Sequence, residues 1–331
     1  MNYRDIFKRF DSLNILIIGD VMIDSYWWSK VERISPEAPV PVCAVFRKEN
    51  RLGGAANVAL NIAAMGANPI LCTVIGNDVD GEVLSELMKQ KNMSTEGLMR
   101  SSKRPTTVKT RIIGNKAQML RVDDETDRPL DKEEEEMFIS GIRNIVKTRR
   151  IDAIVFQDYD KGVITENVIK QIVTLAESKN IPTAVDPKKR NFSSYRRVSL
   201  FKPNLKELKE GLKIDFDGVN KDILSEAALL LHHKQRIDKV FITLSENGVF
   251  IADYTVSPAY IGILPAQLRK IADVSGAGDT VISVATLCLA LGMASEQMAR
   301  VSNMAGGLVC ESVGVVPVNK LKLLSELSTR N

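Results

Sequence analysis

Histidine is scarce in this 331-residue sequence, in which only His232 and His233 occur. Catalytic triads and multi-histidine metal centres draw histidines from separate segments, so neither kind of site is expected. The pair lies near a predicted helix end and is assigned to the surface. Long apolar runs are also missing. Without about 18 consecutive apolar residues no membrane span is expected, and charges at residues 4–11 interrupt any secretory signal.

Cysteine and net charge are limited as well. The cysteines lie in apolar runs without metal-ligand spacing, which predicts buried free thiols in a reducing, cytoplasmic setting. Lys and Arg number 45 against 41 Asp and Glu, a net charge of +4. That excess is too small to indicate a nucleic-acid or membrane partner. The cysteines are Cys43, Cys72, Cys288 and Cys310.

The sequence does contain an alternation of short apolar runs with longer amphipathic segments. Runs rich in Val and Ile, joined by helix-length segments, predict a doubly wound α/β fold with a mostly parallel sheet and helices on both faces. We expect a single domain over residues 1–331. The predicted strands are 14–19, 70–75, 152–157, 182–186, 198–202, 239–243 and 249–253. The predicted helices are 54–66, 80–92, 131–149, 165–180, 204–211, 219–235, 277–293, 295–311 and 319–328.

Polar residues follow several of the predicted strands. In open α/β sheets, ligands bind beyond the carboxyl ends of the strands. These residues therefore predict one active-site rim, although each of them can equally cap the next helix. They are Asn77, Asp78, Asp20, Asp158, Asp186, Asn204 and Thr243.

Two segments fall outside the helix–strand alternation. Residues 38–47 are extended and marked by prolines, and residues 106–123 have the pattern of a hairpin that turns at Gly114-Asn115. One interpretation is a small β-sheet that acts as a lid, built from about 24–47 and 104–123. The alternative is an ordinary surface hairpin with solvated charges.

The strongest motif is Asp-Val-Ser-Gly-Ala-Gly-Asp-Thr at residues 273–280, directly before an apolar helix. Glycines let a backbone approach an anion closely, and a helix N-terminus offers free N–H groups and a partial positive charge. Gly276, Ala277 and Gly278 therefore predict an anion hole for a transferring phosphoryl group. Asp279, in the first turn, can accept the proton of an attacking hydroxyl, or it can merely cap the helix.

Two further motifs suit a sugar and a metal ion. Gly53-Gly54 opens a small-residue helix with Asn57 one turn inside, which suits hydrogen bonds to a polyhydroxylated ligand. A tight turn with close helix packing is the alternative. Asn204 and Glu207 share a helix face. They can hold a hydrated Mg²⁺ through oxygen, or they can form a capping box.

Together and in this order, the three motifs resemble the signatures of the PfkB/ribokinase family of carbohydrate kinases over nearly the whole chain. Residues 18–42, with the run Arg-Ile-Ser-Pro-Glu-Ala-Pro-Val-Pro, are similar to the kinase module of the ADP-heptose synthesis enzymes of Gram-negative bacteria, as are 158–162 and 186–188. The resemblance implies ATP-dependent phosphorylation of D-glycero-D-manno-heptose 7-phosphate at O1. The nucleotidyltransferase signature carried by many relatives is missing, so a stand-alone kinase is expected.

The resemblance also implies a role for each motif. Asp279 would be the base, residues 276–278 would stabilise the phosphoryl group, and Asn204 with Glu207 would organise Mg²⁺. A monovalent cation near Asp273 and a homodimer through the lid are further implications. The nucleotide would lie near Thr243, Ser245, Glu246, Gly248 and Asn303. The sugar would lie near Asp24, Gly53, Gly54, Asn57 and Asp158, and its phosphate near Arg33, Lys109, Arg111, Arg121 and Lys161.

Three alternatives remain open. The acceptor can be another sugar or a nucleoside within the same family. The chain can be a dinucleotide-binding oxidoreductase, but no Gly-x-Gly-x-x-Gly follows the first strand, and no P-loop is present either. It can also be a sugar sensor without catalysis, a reading that the intact glycines and Asp279 oppose.

Overall fold

The computed structural model describes residues 2–115, 117–267 and 269–329. Two sheets contain its strands, and helices cover the larger sheet. The strands are β1 (Asn14–Gly19), β2 (Val21–Ile34), β3 (Pro41–Gly54), β4 (Asn68–Gly76), β5 (Leu98–Ser101), β6 (Val108–Gly114), β7 (Ala117–Asp124), β8 (Ala153–Gln157), β9 (Thr183–Asp186), β10 (Leu200–Phe201), β11 (Lys239–Thr243), β12 (Val249–Asp253) and β13 (Tyr260–Leu264). The helices are α1 (Tyr3–Phe10), α2 (Ala55–Ala64), α3 (Val79–Gln90), α4 (Lys132–Thr148), α5 (Glu166–Ser178), α6 (Leu205–Leu212), α7 (Lys221–Gln235), α8 (Ala277–Ala290), α9 (Ser295–Val309) and α10 (Lys320–Thr329).

The nine-stranded main sheet has the order β13-β12-β11-β10-β9-β8-β1-β4-β5. Its pairs from β11 to β5 are parallel, whereas β12 runs antiparallel to both of its neighbours. Every predicted strand and helix is confirmed to within a few residues. The short edge strands β5 and β13 and the first helix α1 were not predicted.

Both faces of the main sheet are buried, which explains its continuous apolar strands. Side chains alternate along a strand, so Ile15 and Ile17 of β1 join one core with α2, α8 and α9. Leu16 and Ile18 join the opposite core with α4, α5 and α7. Helix α8 lies inside the first core, where its side chains from Asp279 to Leu289 are buried, while Gly278 in its first turn is exposed.

The second sheet is small, with the order β3-β2-β6-β7. Its hairpin is confirmed, but Gly114 ends β6 and pairs with Ala117, so the turn begins one residue later than predicted, at Asn115, whose φ is +52°. The sheet takes in more of the chain than predicted, because β2 begins at Val21 and β3 continues to Gly54. The sheet and the segment that leads into β3 carry exposed apolar residues, namely Ile34, Val40, Val45, Phe46, Met119, Leu120 and Val122.

The cysteine and histidine predictions are confirmed only in part. All four cysteines are free thiols, but Cys43 and Cys310 are half-buried rather than buried. Cys43 lies on the thinly covered small sheet, and Cys310 ends α9. His233 is exposed, whereas His232 is half-buried and stacks on Tyr254 with ring centroids 4.4 Å apart. No helix in the described part of the chain is long and apolar enough to cross a membrane.

Candidate active site

Helix α8 begins in an open, glycine-lined space. Gly276 precedes its first turn with a φ of +79°, a left-handed conformation that favours glycine. No side chain caps this turn, so N–H groups at the helix start remain available to an anion. A Cβ built on Gly278 would meet only Lys202 Nζ, 3.9 Å away. The backbone of residues 276–278 therefore faces a space with an ammonium group at its border.

Asp279 points away from its own helix and is held by three neutral donors. Its carboxylate accepts hydrogen bonds from Asn57 Nδ2 at 2.7 Å, Tyr159 Oη at 2.7 Å and Gln157 Nε2 at 3.1 Å. Burial raises the pKa of Asp279 to about 6, against the lowering effect of the bonds from Asn57 and Tyr159. A carboxylate fixed in place with a pKa near neutrality has the properties of a general base, so the simple capping interpretation is wrong.

Asn57 has a different position from the one predicted. It is 1% exposed, its amide nitrogen donates to Asp279, and its Oδ1 accepts from Asn61 Nδ2 at 3.3 Å. With both ends of the amide engaged inside the protein, Asn57 orients the carboxylate at 279. A direct bond to sugar hydroxyls from this amide is not supported.

Gly53 and Gly54 join the small sheet to α2 without an intervening loop. A Cβ on Gly53 would lie 2.3 Å from Asp24 Oδ2, and one on Gly54 would lie 2.5 Å from the carbonyl oxygen of Asp20. Gly54 also has a φ of +61°. Close packing therefore requires glycine at both positions and leaves the Asp24 carboxylate directly beside the start of α2, and sugar binding by this segment stays a prediction.

The small sheet gathers most of the predicted phosphate-binding cations, and each is already paired. Arg111 Nη1 lies 2.5 Å from Asp24 Oδ1, and Asp24 is 4% exposed. The Arg111 and Arg51 guanidinium groups both lie against the Tyr26 ring, 5.4 and 4.9 Å from its centroid. The remaining pairs are Lys109 with Asp123 and Glu125, Lys161 with Glu125, and Arg121 with Asp123.

Two predicted substrate contacts differ in outcome: the one at Asp158 is wrong, because this side chain is engaged in the interior, and the one at Arg33 stays a prediction. Arg33 is exposed near the far end of β2, nine positions beyond Asp24, which is on the order of 30 Å along a strand. Asp158 is 0% exposed and accepts from Asn191 Nδ2 and Tyr195 Oη, each at 2.9 Å. Burial, with the nearby Asp20 charge, raises the pKa of Asp158 to about 7. It supports the loop beneath the rim instead of facing a ligand.

Asn204 and Glu207 form the capping box that was the alternative to a metal site. The Glu207 amide donates to Asn204 Oδ1, and the Asn204 amide donates to Glu207 Oε2, both at 2.8 Å. The other oxygen of Glu207 accepts from Lys188 Nζ. These oxygens are therefore occupied within the protein, and the described residues contain no cluster of three metal-ligating His, Cys, Asp or Glu side chains.

Two buried oxygens close to Asp279 have no partner in the described structure. They are Asp186 Oδ1 and Gln157 Oε1. The other Asp186 oxygen accepts from Gln157 Nε2 at 3.3 Å and lies 3.1 Å from Lys202 Nζ. A carboxylate and an amide oxygen are donors that Mg²⁺ accepts, so this corner fits the metal better than the Asn204–Glu207 pair.

The predicted nucleotide residues lie around the carboxyl end of β11. Thr243 bridges to Asn204, and residues 245–247 form a short 3₁₀ turn that ends at Gly248. A Cβ on Gly248, whose φ is +89°, would lie 2.0 Å from the carbonyl oxygen of Leu264. Asn303 of α9 donates to the carbonyl of Pro265 at 2.9 Å. Asn303 thus holds the segment around Leu264 and Pro265 that Gly248 approaches. Glu246 lies within the 3₁₀ turn of residues 245–247.

Asp273, predicted to lie near a monovalent cation, is tied to the backbone. It accepts from Ser275 N and Oγ and from Gly314 N, all within 2.9 Å. These bonds connect the loop before α8 to residues 312–316. The described contacts give Asp273 a role in loop geometry, and cation binding there stays a prediction.

Gln157, Tyr159 and Lys202 were not assigned to the site from the sequence. Gln157 and Lys202 are polar residues that end apolar runs, in the same way as the aspartates that were recognised. Tyr159 lies within the segment 158–162, which had been noted only for its resemblance. The polar end of each apolar run was the signal that could have identified Gln157 and Lys202.

Comparisons with known proteins agree with this geometry. The model of the pfkB family carbohydrate kinases matches residues 12–320. The bifunctional protein HldE of Syntrophotalea carbinolica is 36% identical over 318 residues, covering 96% of this chain and 64% of that protein. HldE of Methylobacillus flagellatus is 38% identical over 320 residues, covering 97% and 64%. The chain thus spans less than two thirds of the length of these relatives.

Solved structures share the fold at low identity. Phosphofructokinase-2 from Escherichia coli in complex with potassium superposes with a TM-score of 0.75 at 20% identity, covering 96% of this chain and 99% of that one. Arabidopsis thaliana ribokinase with ribose and ATP gives a TM-score of 0.71 at 16% identity, covering 95% and 99%. The fold is therefore ribokinase-like, and the match over residues 12–320 shows that the chain belongs to the pfkB family of carbohydrate kinases, phosphotransferases with an alcohol group as acceptor.

Proposed function

We propose that this kinase transfers the γ-phosphoryl group of ATP to O1 of D-glycero-D-manno-heptose 7-phosphate and forms the 1,7-bisphosphate. The observation that carries the proposal is the Asp279 carboxylate, held by three donors beside the glycine-lined start of α8. The heptose is supported by residues 18–42 and by the relatives named HldE. As these relatives are longer, their second activity is not extended to this chain.

The chain's own residues account for the proton and for the negative charge. The acceptor hydroxyl attacks the γ-phosphorus while its proton passes to Asp279. N–H groups at the start of α8, beside Gly276 and Gly278, stabilise the charge that develops on the transferring phosphoryl group. Asn57, Gln157 and Tyr159 keep the carboxylate aimed at the hydroxyl, so the base does not need to reorient during the reaction.

Mg²⁺ would be held at the rim by Asp186 Oδ1 and Gln157 Oε1, the two buried oxygens without partners. The metal, when bound, supplies positive charge against the phosphates of the nucleotide. Asn204 and Glu207 would not bind the metal directly, and Glu207 forms an ion pair with Lys188. Asp186→Asn should weaken Mn²⁺ binding, measured by electron paramagnetic resonance without substrate, more than Glu207→Gln does.

The phosphate of the acceptor would bind at the small sheet. Arg111 lies beside Asp24, whose carboxylate is suited to a sugar hydroxyl, and a second cation, Arg51, lies against the same tyrosine ring. A planar guanidinium matches phosphate oxygens through paired donors. This placement favours a phosphorylated sugar over ribose or a nucleoside.

A homodimer would cover exposed apolar residues of the small sheet. Phe46 of β3 is 66% exposed and Leu120 of β7 is 55% exposed, and exposed apolar residues in such number mark interaction surfaces. Phe46→Asp should convert a dimer to a monomer in light scattering coupled to size exclusion. A wild type that is monomeric at micromolar concentration would contradict the dimer.

The function is tested by ATP consumption over a panel of sugars. We expect turnover with heptose 7-phosphate, and a much lower kcat/KM for fructose 6-phosphate, ribose and adenosine. Turnover with another sugar but not with heptose 7-phosphate would exclude the heptose. Binding of ATP and sugar without turnover would support a sensor instead, and reduction of a nicotinamide cofactor would support an oxidoreductase.

A further inference from the structure

Lys202 is a buried cation next to the open space at the start of α8. It follows β10, and its side chain is 3% exposed. Its Nζ lies 3.1 Å from Asp186 Oδ2, which also accepts from Gln157 Nε2. An ammonium group carries three donors. Among the described residues Asp186 is its ion-pair partner, and at longer range its charge also lowers the pKa of Asp279.

The free side of this ammonium faces the predicted anion hole. A Cβ on Gly278 would lie 3.9 Å from Lys202 Nζ, the one heavy atom of the described residues beyond the neighbouring residues and backbone of α8 within 4 Å of that position. The same space contains the N-terminus of α8, whose first turn no side chain caps. An anion placed there would meet backbone N–H groups on one side and the ammonium on the other.

The surrounding charges explain why a cation is tolerated at this depth. Burying an ammonium is unfavourable unless its charge and its donors are satisfied. Asp186 is shared with Gln157, and its remaining oxygen is the one proposed for Mg²⁺. Lys202 is therefore only partly compensated in the unliganded protein, and a phosphoryl group at the start of α8 would complete its set of partners.

We infer that Lys202 is a catalytic residue that donates to a non-bridging oxygen of the transferring phosphoryl group. This role rests on the proposed kinase reaction. The acceptor oxygen forms a bond to the γ-phosphorus, the bond from that phosphorus to the bridging oxygen breaks, and the electron pair leaves with ADP. The hydroxyl proton goes to Asp279, and Lys202 keeps its proton throughout.

The test compares Lys202→Met with a matched control. Lys239 is also a shielded lysine paired to one aspartate, with Nζ 2.6 Å from Asp253 Oδ2, but it lies at the amino end of β11, away from the rim. Removing one charge-stabilising donor commonly lowers kcat by about 10²–10³-fold. We expect that loss for Lys202→Met with KM for the sugar little changed, and an unchanged kcat for Lys239→Met.

Binding of a transition-state analogue distinguishes a loss of catalysis in Lys202→Met from a loss of the folded structure. Lys202→Met should lose affinity for aluminium fluoride in the presence of MgADP and sugar phosphate, measured by calorimetry, while its affinity for MgADP alone changes little. Lys202→Gln, which keeps a donor toward Asp186, decides the matter if the methionine variant does not fold. An uncharged variant with a kcat within threefold of wild type, or with unchanged fluoride affinity, overturns the role of Lys202. A wild type that phosphorylates no sugar overturns the proposed function as well.

Discussion

The rim around Asp279 and the small sheet differ in how they hold their charges. At the rim, Asp279 and Asp186 are buried, and neutral donors on α2 and β8 position the carboxylate at 279. On the small sheet the cations are held by charged partners instead, and their side chains range from Arg121 at 52% exposed to Lys109 at 14% exposed. Ion pairs that solvent reaches contribute little stability, so the more exposed of these pairs can exchange partners with a ligand. The rim of the main sheet thus holds the reacting carboxylate in place, whereas the small sheet can rearrange its ion pairs when a substrate binds.

Asp279→Asn tests the rim most severely. A missing general base commonly lowers turnover by about 10²–10⁴-fold, and ATP binding should remain because no contact to a nucleotide is removed. Steady-state kinetics with a titration of ATP measures both effects. A variant that kept most of its activity would show that the hydroxyl proton goes to another group.

Arg111→Ala tests the small sheet. Hydrogen bonds to charged groups contribute about 1.5–3 kcal/mol, so KM for the phosphorylated sugar should rise on the order of 10- to 100-fold while KM for ATP stays constant. Arg149→Ala is the control, because Arg149 follows α4, is 57% exposed and pairs with Glu96, away from the small sheet. Equal effects on sugar and ATP would remove Arg111 from phosphate binding.

The pH dependence of kcat/KM tests the tuning of the base. Only the ionised carboxylate accepts the proton, and the pKa of Asp279 is about 6, so kcat/KM should fall about tenfold per unit below pH 6. Tyr159→Phe removes a bond that lowers this pKa, and its acid limb should therefore move to higher pH. Ser328→Ala, at an exposed hydroxyl of α10, should leave the limb in place, and an unmoved limb in Tyr159→Phe would contradict the assignment.

The smallest expected effect is a pH-dependent change in the free energy of unfolding caused by Asp158. Its folded pKa of about 7 lies above the ordinary value of 3.8, so the folded state holds the proton more tightly and loses stability as pH rises from about 4 to about 7. Asp158→Asn has no carboxyl group at this position, so it does not lose this stability as the pH rises. Urea unfolding at pH 5 and pH 8 should therefore show the variant gaining stability relative to wild type at the higher pH. A pH-independent difference would mean that Asp158 is ionised in both states.

The main sheet was predictable because its strands are apolar throughout and the segments between them are amphipathic. The glycine motif before α8 was equally visible, since its backbone requirements are local. The donors to Asp279 were not, because Asn57, Gln157 and Tyr159 are more than a hundred residues away along the chain and meet it only in the folded protein. Asp158 was misassigned because a motif match does not say whether a side chain points toward the ligand or into the interior.

The direct passage from β3 into α2 has a mechanical consequence. Gly54 ends the strand and Ala55 begins the helix, and one turn later the same helix presents the amide that steers the base. The acceptor site on the small sheet and the amide that holds the base are thus joined by consecutive residues of one backbone. The spacing between substrate recognition and proton transfer is therefore set by the covalent chain, without a flexible linker.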